Sequence, residues 1–244
     1  MLDQVASEEP LEIRVNGKSI AVVMRTPGHD RELAAGFLYT EGLIRAFQDI
    51  KEIVVCKNPK SDLDENIVNV FVRKEAAVKA GKLTRHFYTS SSCGVCGKGS
   101  IESVFLNFKP IKSKFKIPAK ILLSLPQKLR AAQDTFEKTG GLHASALIDA
   151  KGNLVVLRED VGRHNALDKV VGWGFLGKRL PFKNYGLLVS GRVSFEIMQK
   201  ALAAGIPLVA AIGAPSSLAV SFAKQSGQTL VGFLKNSGMN IYKN

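Results

Sequence analysis

The sequence predicts an α/β protein, α+β overall, with a small N-terminal α+β unit followed by a larger domain of alternating strands and helices. Two observations indicate this fold. From residue 143 onward, short apolar runs alternate with helix-length segments, which is typical of crossover connections in a largely parallel sheet. Before residue 85, strand-like runs instead surround a single helical segment. A chain of 244 residues is long enough for one large domain or two small ones.

The N-terminal unit begins with a predicted β-hairpin. Residues 11–24 alternate in character around Asn16-Gly17, and an Asn-Gly pair favours a type I′ turn because both central residues there adopt positive φ. A helix is predicted next, with Thr26 as its cap and Pro27 at its first position. Two strands are then expected over residues 50–56 and 67–72, with polar turn residues 57–65 between them.

A loop and a basic connecting segment lead into the larger domain. Residues 89–100 (TSSSCGVCGKGS) are small and aperiodic, which predicts a loop, and the lysine-rich residues 109–116 suggest a solvated strand edge or a linker. Ser124 and Pro126 are predicted to open a helix that Gly140-Gly141 closes. The elements expected after it are a hairpin of strands 144–149 and 154–157, helix 163–171, strand 185–189, helix 194–204, strand 207–212, helix 218–225 and strand 229–233.

Composition and charge narrow the class of protein. The net charge of +13 favours an anionic partner, such as nucleic acid, a phosphorylated cofactor or an acidic protein, although a lysine-rich surface without such a partner explains it equally well. No apolar run approaches the roughly 20 residues that span a bilayer, so no membrane association is expected. The N-terminus has no signal-peptide pattern, and three cysteines are too few for a secreted disulfide framework. We therefore expect a cytoplasmic protein.

The strongest local motif is C-G-V-C, with Cys93 and Cys96 as its thiols. Two thiols at this spacing can exchange, share a sulfur atom or bind a metal. The small residues on both sides argue against a preorganised disulfide oxidoreductase and favour a carrier that collects sulfur at one protein and delivers it at another. Lys98 would favour the reactive thiolate. The alternative is a pair of idle surface thiols. Cys56 lies in an apolar strand and is expected to be a buried small hydrophobic residue.

Several familiar motifs are absent or misplaced. GWGFLG at residues 172–177 fits a dinucleotide-binding pattern, but it follows a helix and not a strand, so we interpret it as a helix stop and loop. Zinc deaminases need a glutamate two residues after a ligating His or Cys, and none of the four histidines has one. A second cysteine pair that would complete a structural zinc site is also missing from the sequence. We therefore expect no bound zinc or other metal.

Three strand-to-helix turns are rich in Gly, Ser and Arg. The first, at residues 158–165 (REDVGRHN), would place backbone N–H groups, Arg163 and His164 at a helix N-terminus, which suits an anion, although ordinary helix capping by Asp160 explains it equally well. Ligands of open α/β sheets bind at the carboxyl ends of strands, so these turns predict a phosphate-binding mouth. The equivalent turns later in the chain are residues 190–192 and 213–217.

The chain resembles the FdhD family of formate dehydrogenase accessory proteins from about residue 11 to residue 242. Six blocks in order carry the resemblance: TPGHDRELAAGFLYTEGLI, SSCGVCGK, TGGLHASALID, REDVGRHNALDKVVG, LLVSGRVSFEIMQKA and GAPSSLAV. The resemblance implies that the larger domain, residues 119–244, has a cytidine-deaminase-like fold without zinc. It would follow an N-terminal domain of residues 1–85 and a Cys-loop and basic connecting segment of residues 86–118.

The resemblance also implies a cytoplasmic sulfurtransferase. Such a protein accepts persulfide sulfur from a cysteine desulfurase and transfers it to the molybdenum of the bis(molybdopterin guanine dinucleotide) cofactor, its bound substrate, for which GDP is an analogue. Formate dehydrogenase is the implied client. Cys93 matches the persulfide carrier of the family, and Cys96 matches the second cysteine. The implied cofactor-contacting residues are Phe233, Leu234, Lys235, Asn236, Ser237 and Gly238, with Lys235 where arginine is expected.

Two functions of other classes stay open on the sequence alone. A non-catalytic chaperone would bind the guanylated cofactor without carrying sulfur, and a persulfide on Cys93 would separate it from a sulfurtransferase. A nucleic-acid binder fits the charge, but aromatic residues make up only 7% of the chain and form no interleaved stacking platform. We therefore expect no nucleic-acid partner. The oligomeric state is open, with a homodimer as one possibility.

Overall fold

A computed structural model describes residues 3–56, 66–73 and 109–243. The predicted turn at residues 57–65, the loop at residues 89–100 and the thiols of Cys93 and Cys96 lie outside the described residues. The lysine-rich residues 109–116 form no regular element and are mostly exposed, which makes them a linker and not a strand edge. Within the described ranges, no helix has both the length and the apolar character needed to cross a membrane.

The first sheet has four strands in the order β2-β1-β4-β3. The predicted hairpin is confirmed, because β1 and β2 are antiparallel and Asn16 and Gly17 have φ values of 49° and 81°. Leucine, isoleucine and valine side chains from one face of this sheet pack against helix α1 in an apolar core that Phe175 from the second half of the chain also joins. The elements are β1 (Glu9–Val15), β2 (Lys18–Arg25), α1 (Asp30–Thr40), β3 (Ile50–Cys56) and β4 (Ile67–Val72).

Helix α1 begins later than predicted. Its first residue is Asp30, and His29 before it has a φ of 58°, so the expected cap at Thr26 is wrong. Thr26 is used elsewhere, because its hydroxyl accepts a hydrogen bond from the backbone N–H of Val161 at 3.1 Å and its own N–H donates to Asp160 at 3.2 Å. A contact with a residue more than 130 positions away therefore replaces the local cap.

The second sheet has six strands in the order β10-β9-β8-β7-β5-β6. Strand β7 is parallel to β8, and β8 is parallel to β9. Strand β5 is antiparallel to both β6 and β7, and β10 is antiparallel to β9. The expectation of a largely parallel sheet is therefore wrong, since three of the five strand pairs are antiparallel. The strands are β5 (His143–Ile148), β6 (Leu154–Asp160), β7 (Gly186–Val189), β8 (Leu208–Ala211), β9 (Thr229–Lys235) and β10 (Gly238–Lys243).

Five helices accompany this sheet within the described ranges. Core side chains place α2 on one face and α4, α5 and α6 on the other. Helix α3 follows α2 after a short break. The helices are α2 (Ala119–Ala131), α3 (Asp134–Thr139), α4 (Arg163–Leu176), α5 (Phe195–Ala203) and α6 (Ser217–Ser226).

Two predicted helix boundaries in this domain are wrong. Helix α2 begins at residue 119 with Pro126 inside it, and a separate helix, α3, precedes the left-handed Gly140 that closes it as expected. The buried stripe of Leu122, Leu125 and Leu129 outweighs the backbone hydrogen bond that a proline cannot donate. Helix α4 starts where expected but continues through Leu176, so the first five residues of GWGFLG are helical and only Gly177, the C-cap, ends the helix.

The two halves of the molecule meet where α1 crosses α4. A Cβ atom on Gly36 would overlap the backbone carbonyl of Asp168, and one on Gly172 would overlap that of Glu32. Glycine at both positions therefore lets the two helix backbones approach directly. The domain boundaries at residues 85 and 119 and the likeness to cytidine deaminases stay predictions.

Candidate functional site

Three turns meet at one edge of the second sheet, beyond the ends of β6, β7 and β8. We call the space between them the strand-end crevice. The N–H of Gly213 donates to the carbonyl of Gly191 at 3.2 Å, and the N–H of Val193 donates to the carbonyl of Ala214 at 3.1 Å. The register pairs His143, the first residue of β5, with Asp160 at the end of β6. The turns that the sequence grouped at the strand ends therefore lie together.

Glycine residues let these turns approach one another closely. A Cβ on Gly213 would lie 2.6 Å from the carbonyl oxygen of Gly191, and a Cβ on Gly191 would lie 3.0 Å from Nδ1 of His143. Ser190 fixes the other side of the turn, because its hydroxyl accepts a hydrogen bond from the N–H of Ala144 at 2.9 Å. The imidazole of His143 is thus held against the β7–α5 turn.

The crevice around His143 is cationic. Burial is the main cause that lowers the pKa of His143, and the charges of Arg163 and Arg192 lower it further, while Asp160 acts in the opposite direction. The imidazole is therefore neutral at neutral pH, and the two guanidinium groups supply the positive charge. Arg192 is exposed and Arg163 is half-buried, so both can meet an incoming anion.

His164 lies on the α5 side of the crevice. Its Nε2 atom is 3.4 Å from the hydroxyl oxygen of Ser194 and 3.9 Å from a carboxylate oxygen of Glu196. Burial, followed by the charges of Lys200 and Arg163, lowers the pKa of His164 to about 4. A neutral imidazole beside a hydroxyl can accept or donate a hydrogen bond at Nε2, depending on its tautomer, without adding charge to the site.

The expected capping of α4 by Asp160 is wrong, because Gly162 is the N-cap residue and no side chain caps this helix. Asp160 is fully buried, forms an ion pair with Lys169 at 2.7 Å and accepts a hydrogen bond from the N–H of Gly162 at 2.8 Å. Its role is therefore structural. Arg158 also points away from the crevice, because its Nε atom forms an ion pair of 2.6 Å with a carboxylate oxygen of Glu32 on α1. Arg163 and His164 remain the members of this turn that face the crevice.

The segment from Phe233 to Gly238 forms the end of β9 and its hairpin turn into β10. The N–H of Phe233 donates to the carbonyl of Gly213 at 3.1 Å, which joins this segment to the crevice. Phe233 has a φ of 52° and is 43% exposed, so its ring lies at the surface. Leu234 is buried in the core against α2, whereas Lys235, Asn236 and Ser237 are exposed.

The expectation for Cys56 is wrong. Its side chain is half-exposed near the end of β3, and Sγ lies 4.0 Å from the carbonyl oxygen of Val54. The side chain therefore contributes less to the core than a buried hydrophobic residue would. No cluster of three or more His, Cys, Asp or Glu side chains suited to a metal ion occurs in the part of the chain that the structure describes.

The sequence did not identify His143, Ser194 or Glu196 as crevice residues. His143 begins a strand, and in a parallel sheet the beginning of a strand lies at the edge opposite to the ligand. Strand β5 runs antiparallel to β7, however, so its first residue lies at the crevice edge. The predicted hairpin of β5 and β6 was the signal that could have placed His143 at the crevice edge, because the two strands of a hairpin run in opposite directions.

The fold and the crevice define a two-sheet α/β protein with a cationic crevice at the ends of its strands. Comparison of the sequence with known protein families identifies its own. The sequence model of the FdhD/NarQ family matches residues 6–244, and the chain belongs to that family.

Its relatives include proteins from bacteria and archaea. It is 52% identical to "Sulfur carrier protein FdhD" of Mycolicibacterium paratuberculosis, over 96% of this chain and 88% of that protein. It is 45% identical to the protein of the same name from Sulfolobus acidocaldarius, over 98% and 89% of the two chains. A crystal structure described as a formate dehydrogenase accessory protein from Desulfotalea psychrophila is also similar, with a TM-score of 0.77 and 29% identity over 100% of this chain and 90% of that one.

Proposed function

We propose that this protein is a sulfur carrier that holds a persulfide on Cys93 during the maturation of formate dehydrogenase. The observation that carries the proposal is the pair Cys93 and Cys96 in a chain that is 52% identical to a protein named as a sulfur carrier. The Cys93 thiolate attacks the outer sulfur of a cysteine desulfurase persulfide, a new S–S bond forms at Cys93, and the desulfurase cysteine leaves as a thiolate. Cys96 assists or resolves the loaded persulfide.

The acceptor in this proposal is the guanylated molybdenum cofactor, which the protein binds as a substrate before formate dehydrogenase receives it. Two features of the strand-end crevice support this assignment. Arg163 and Arg192 provide charge for a diphosphate, and the neutral imidazole of His143 provides a polar contact beside them. Residues 119–244 would then form a cytidine-deaminase-like domain whose crevice serves binding without zinc.

Mass spectrometry after incubation with a cysteine desulfurase and cysteine tests the carrier role. The wild-type protein should gain the mass of one sulfur atom on Cys93. Cys93→Ala should abolish sulfur transfer with an unchanged melting temperature, whereas Cys96→Ala should reduce transfer only in part. A Cys93→Ala variant that still supports full formate dehydrogenase activity would overturn the assignment and favour a non-catalytic chaperone. Label found on Cys96 alone would reverse the order of the two thiols.

Calorimetry with GDP and ADP tests the cofactor role. GDP should bind, and its affinity should fall as salt screens the arginine contacts. Arg192→Gln should weaken both nucleotides, because its guanidinium contacts phosphate and not base. Lys183→Gln, a change of the same charge at an exposed position outside the crevice, is the matched control. Equal and weak binding of both nucleotides that disappears at physiological salt would reduce the crevice to surface charge.

A further inference from the structure

Residues 109–116 carry a dense positive charge, and we call this segment the lysine ribbon. Four of its eight residues are lysine, and no aspartate or glutamate occurs from residue 109 to residue 133. All four lysine side chains are exposed, and none forms an ion pair with a carboxylate in the described ranges. The charge of the ribbon is therefore open to a partner. The lysines are Lys109, Lys112, Lys114 and Lys116.

Apolar side chains between the lysines hold the ribbon against the second sheet. Ile111 packs against the core on one face of this sheet, and its N–H donates to the carbonyl of Ser226 at 2.8 Å. Phe115 packs against the core on the other face. The lysines therefore lie on the solvent side of an anchored backbone, so a partner does not have to order the segment before it binds.

The lysine ribbon lies at the edge of the second sheet opposite to the strand-end crevice. Its anchor Ser226 ends α6, which begins at the crevice and runs back to the start of β9. Beyond the ribbon, α2 meets the β5–β6 turn, because a Cβ atom on Gly152 would overlap the side chain of Ile121. That turn follows the end of β5, whose first residue lies at the crevice. The ribbon therefore runs along the far edge of the sheet, away from the arginines of the crevice.

The side chains of the ribbon indicate an acidic protein surface as its partner. Arginine, which binds phosphate through two parallel hydrogen bonds, is absent from the ribbon. Ile111 and Phe115 pack against the cores, so the ribbon presents no ring for stacking on bases and no apolar side chain for insertion into lipid. The four lysines are compact point charges, which attract carboxylates over a distance without fixing one geometry.

We infer that the lysine ribbon is the docking site for the sulfur donor, which binds it through an acidic surface. The inference rests on the proposed function, because that function requires a donor protein to approach Cys93. The ribbon follows Cys93 and Cys96 along the chain, so a donor held there raises the concentration of its persulfide around the thiols. A donor at this edge leaves the opposite edge, with the crevice, open to the cofactor. Charge steering also suits a transient complex, since it acts mainly on the rate of association.

The rate of persulfide loading from a cysteine desulfurase, measured by mass spectrometry at low concentrations of both proteins, tests the inference. A ribbon variant that combines Lys112→Gln, Lys114→Gln and Lys116→Gln should load with a second-order rate constant about tenfold lower at low salt. Rising salt should slow the wild-type protein and bring the two rate constants together, because salt screens the same charges.

Two controls separate docking from net charge and from thiol chemistry. A control variant that combines Lys18→Gln, Lys51→Gln and Lys138→Gln removes the same charge at exposed positions outside the ribbon and should load at close to the wild-type rate. Equal slowing of the two variants would overturn the inference, because net charge alone would then attract the donor. Loading from cysteine persulfide, a small donor that needs no docking, should be equally fast in all three proteins. Slow loading of the ribbon variant from this donor would also overturn the inference.

Direct binding distinguishes a failure of the inference from a failure of the proposed function. The Kd for the desulfurase, measured by fluorescence anisotropy without cysteine, should rise about tenfold in the ribbon variant at low salt. An unchanged Kd would refute the docking site even where Cys93 carries sulfur. A wild-type protein that loads from neither donor would refute the carrier role, and a raised Kd in the ribbon variant would still support the docking site. Weaker binding of RNA or of phosphatidylserine vesicles by the ribbon variant, at an unchanged Kd for the desulfurase, would assign the ribbon to those partners and overturn the inference.

Discussion

Lys200→Met should destabilise the protein by about 3–5 kcal/mol, because it leaves the carboxylate of Asp168 buried without its cation. The Nζ atom of Lys200 lies 3.1 and 2.9 Å from the two carboxylate oxygens of Asp168, and it also contacts Thr40 at 2.9 Å and Glu41 at 3.2 Å. Burial opposes the charge, but the carboxylates of Asp168 and Glu41 raise the pKa of Lys200, which keeps it protonated. The ammonium group thus joins α1, α4 and α5.

Urea unfolding followed by circular dichroism measures the lost free energy of unfolding, and thermal unfolding measures the melting temperature. For a protein of this size each kcal/mol corresponds to about 2–4 °C, so the melting temperature should fall by roughly 6–20 °C. Lys200→Met combined with Asp168→Leu should recover most of the stability, because the fully buried carboxylate is then removed and that of Glu41 still reaches solvent. Lys120→Met, at an exposed position on α2, is the matched control and should change little. A loss below about 1 kcal/mol in Lys200→Met would refute the reasoning, since Asp168 would then tolerate burial alone.

Three further predictions follow from the fold and the crevice. Because the pKa of His164 is about 4 in the folded protein and 6.5 ordinarily, the unfolded chain binds the extra proton between these values. Stability should therefore fall as the pH drops from about 6.5 to about 4, and a pH series of urea unfolding on His164→Gln should show a flatter slope; an identical slope would contradict the role of burial. Gly172→Ala should cost about 1–3 kcal/mol in thermal unfolding, despite the better helix propensity of alanine, because the added Cβ meets the backbone of Glu32; a more stable variant would show that the helices separate freely. Cys56→Ser should cost less than about 1 kcal/mol and leave sulfur transfer unchanged in the mass-spectrometric assay, since the side chain is half-exposed; loss of transfer at normal stability would give Cys56 a role in the chemistry.

Local signals predicted the elements that depend on local chemistry. The Asn16-Gly17 pair fixed the first hairpin because few other residues adopt its backbone conformation, and strands β3 and β4 matched their apolar runs residue for residue. Helix α2 was misplaced because Ser124 and Pro126 suggest a start, whereas the burial of leucines on both sides of them determines the helix. Such burial depends on the second sheet, which no local pattern describes.

The candidate site was predictable only in part, because some of its contacts also depend on packing between distant parts of the chain. The general position of ligands at strand ends identified the turns with Arg163 and Arg192, since that rule depends on topology. It could not reveal that Asp160 accepts a hydrogen bond from Thr26, because the packing of the two halves at the crossing of α1 and α4 brings these residues together. His143 was missed because its position follows from the reversed direction of β5.

The crossing at Gly36 and Gly172 bears on how the chain can be divided. A cut between the two sheets would expose the apolar side of α1 on one fragment and would leave Lys169 and Lys200 on the other without their contacts at Thr26 and Thr40. Neither piece would present a surface that water solvates well. The two halves therefore form one cooperative unit: fragments expressed separately should be insoluble, fragments expressed together should reassemble, and the intact protein should melt in a single step.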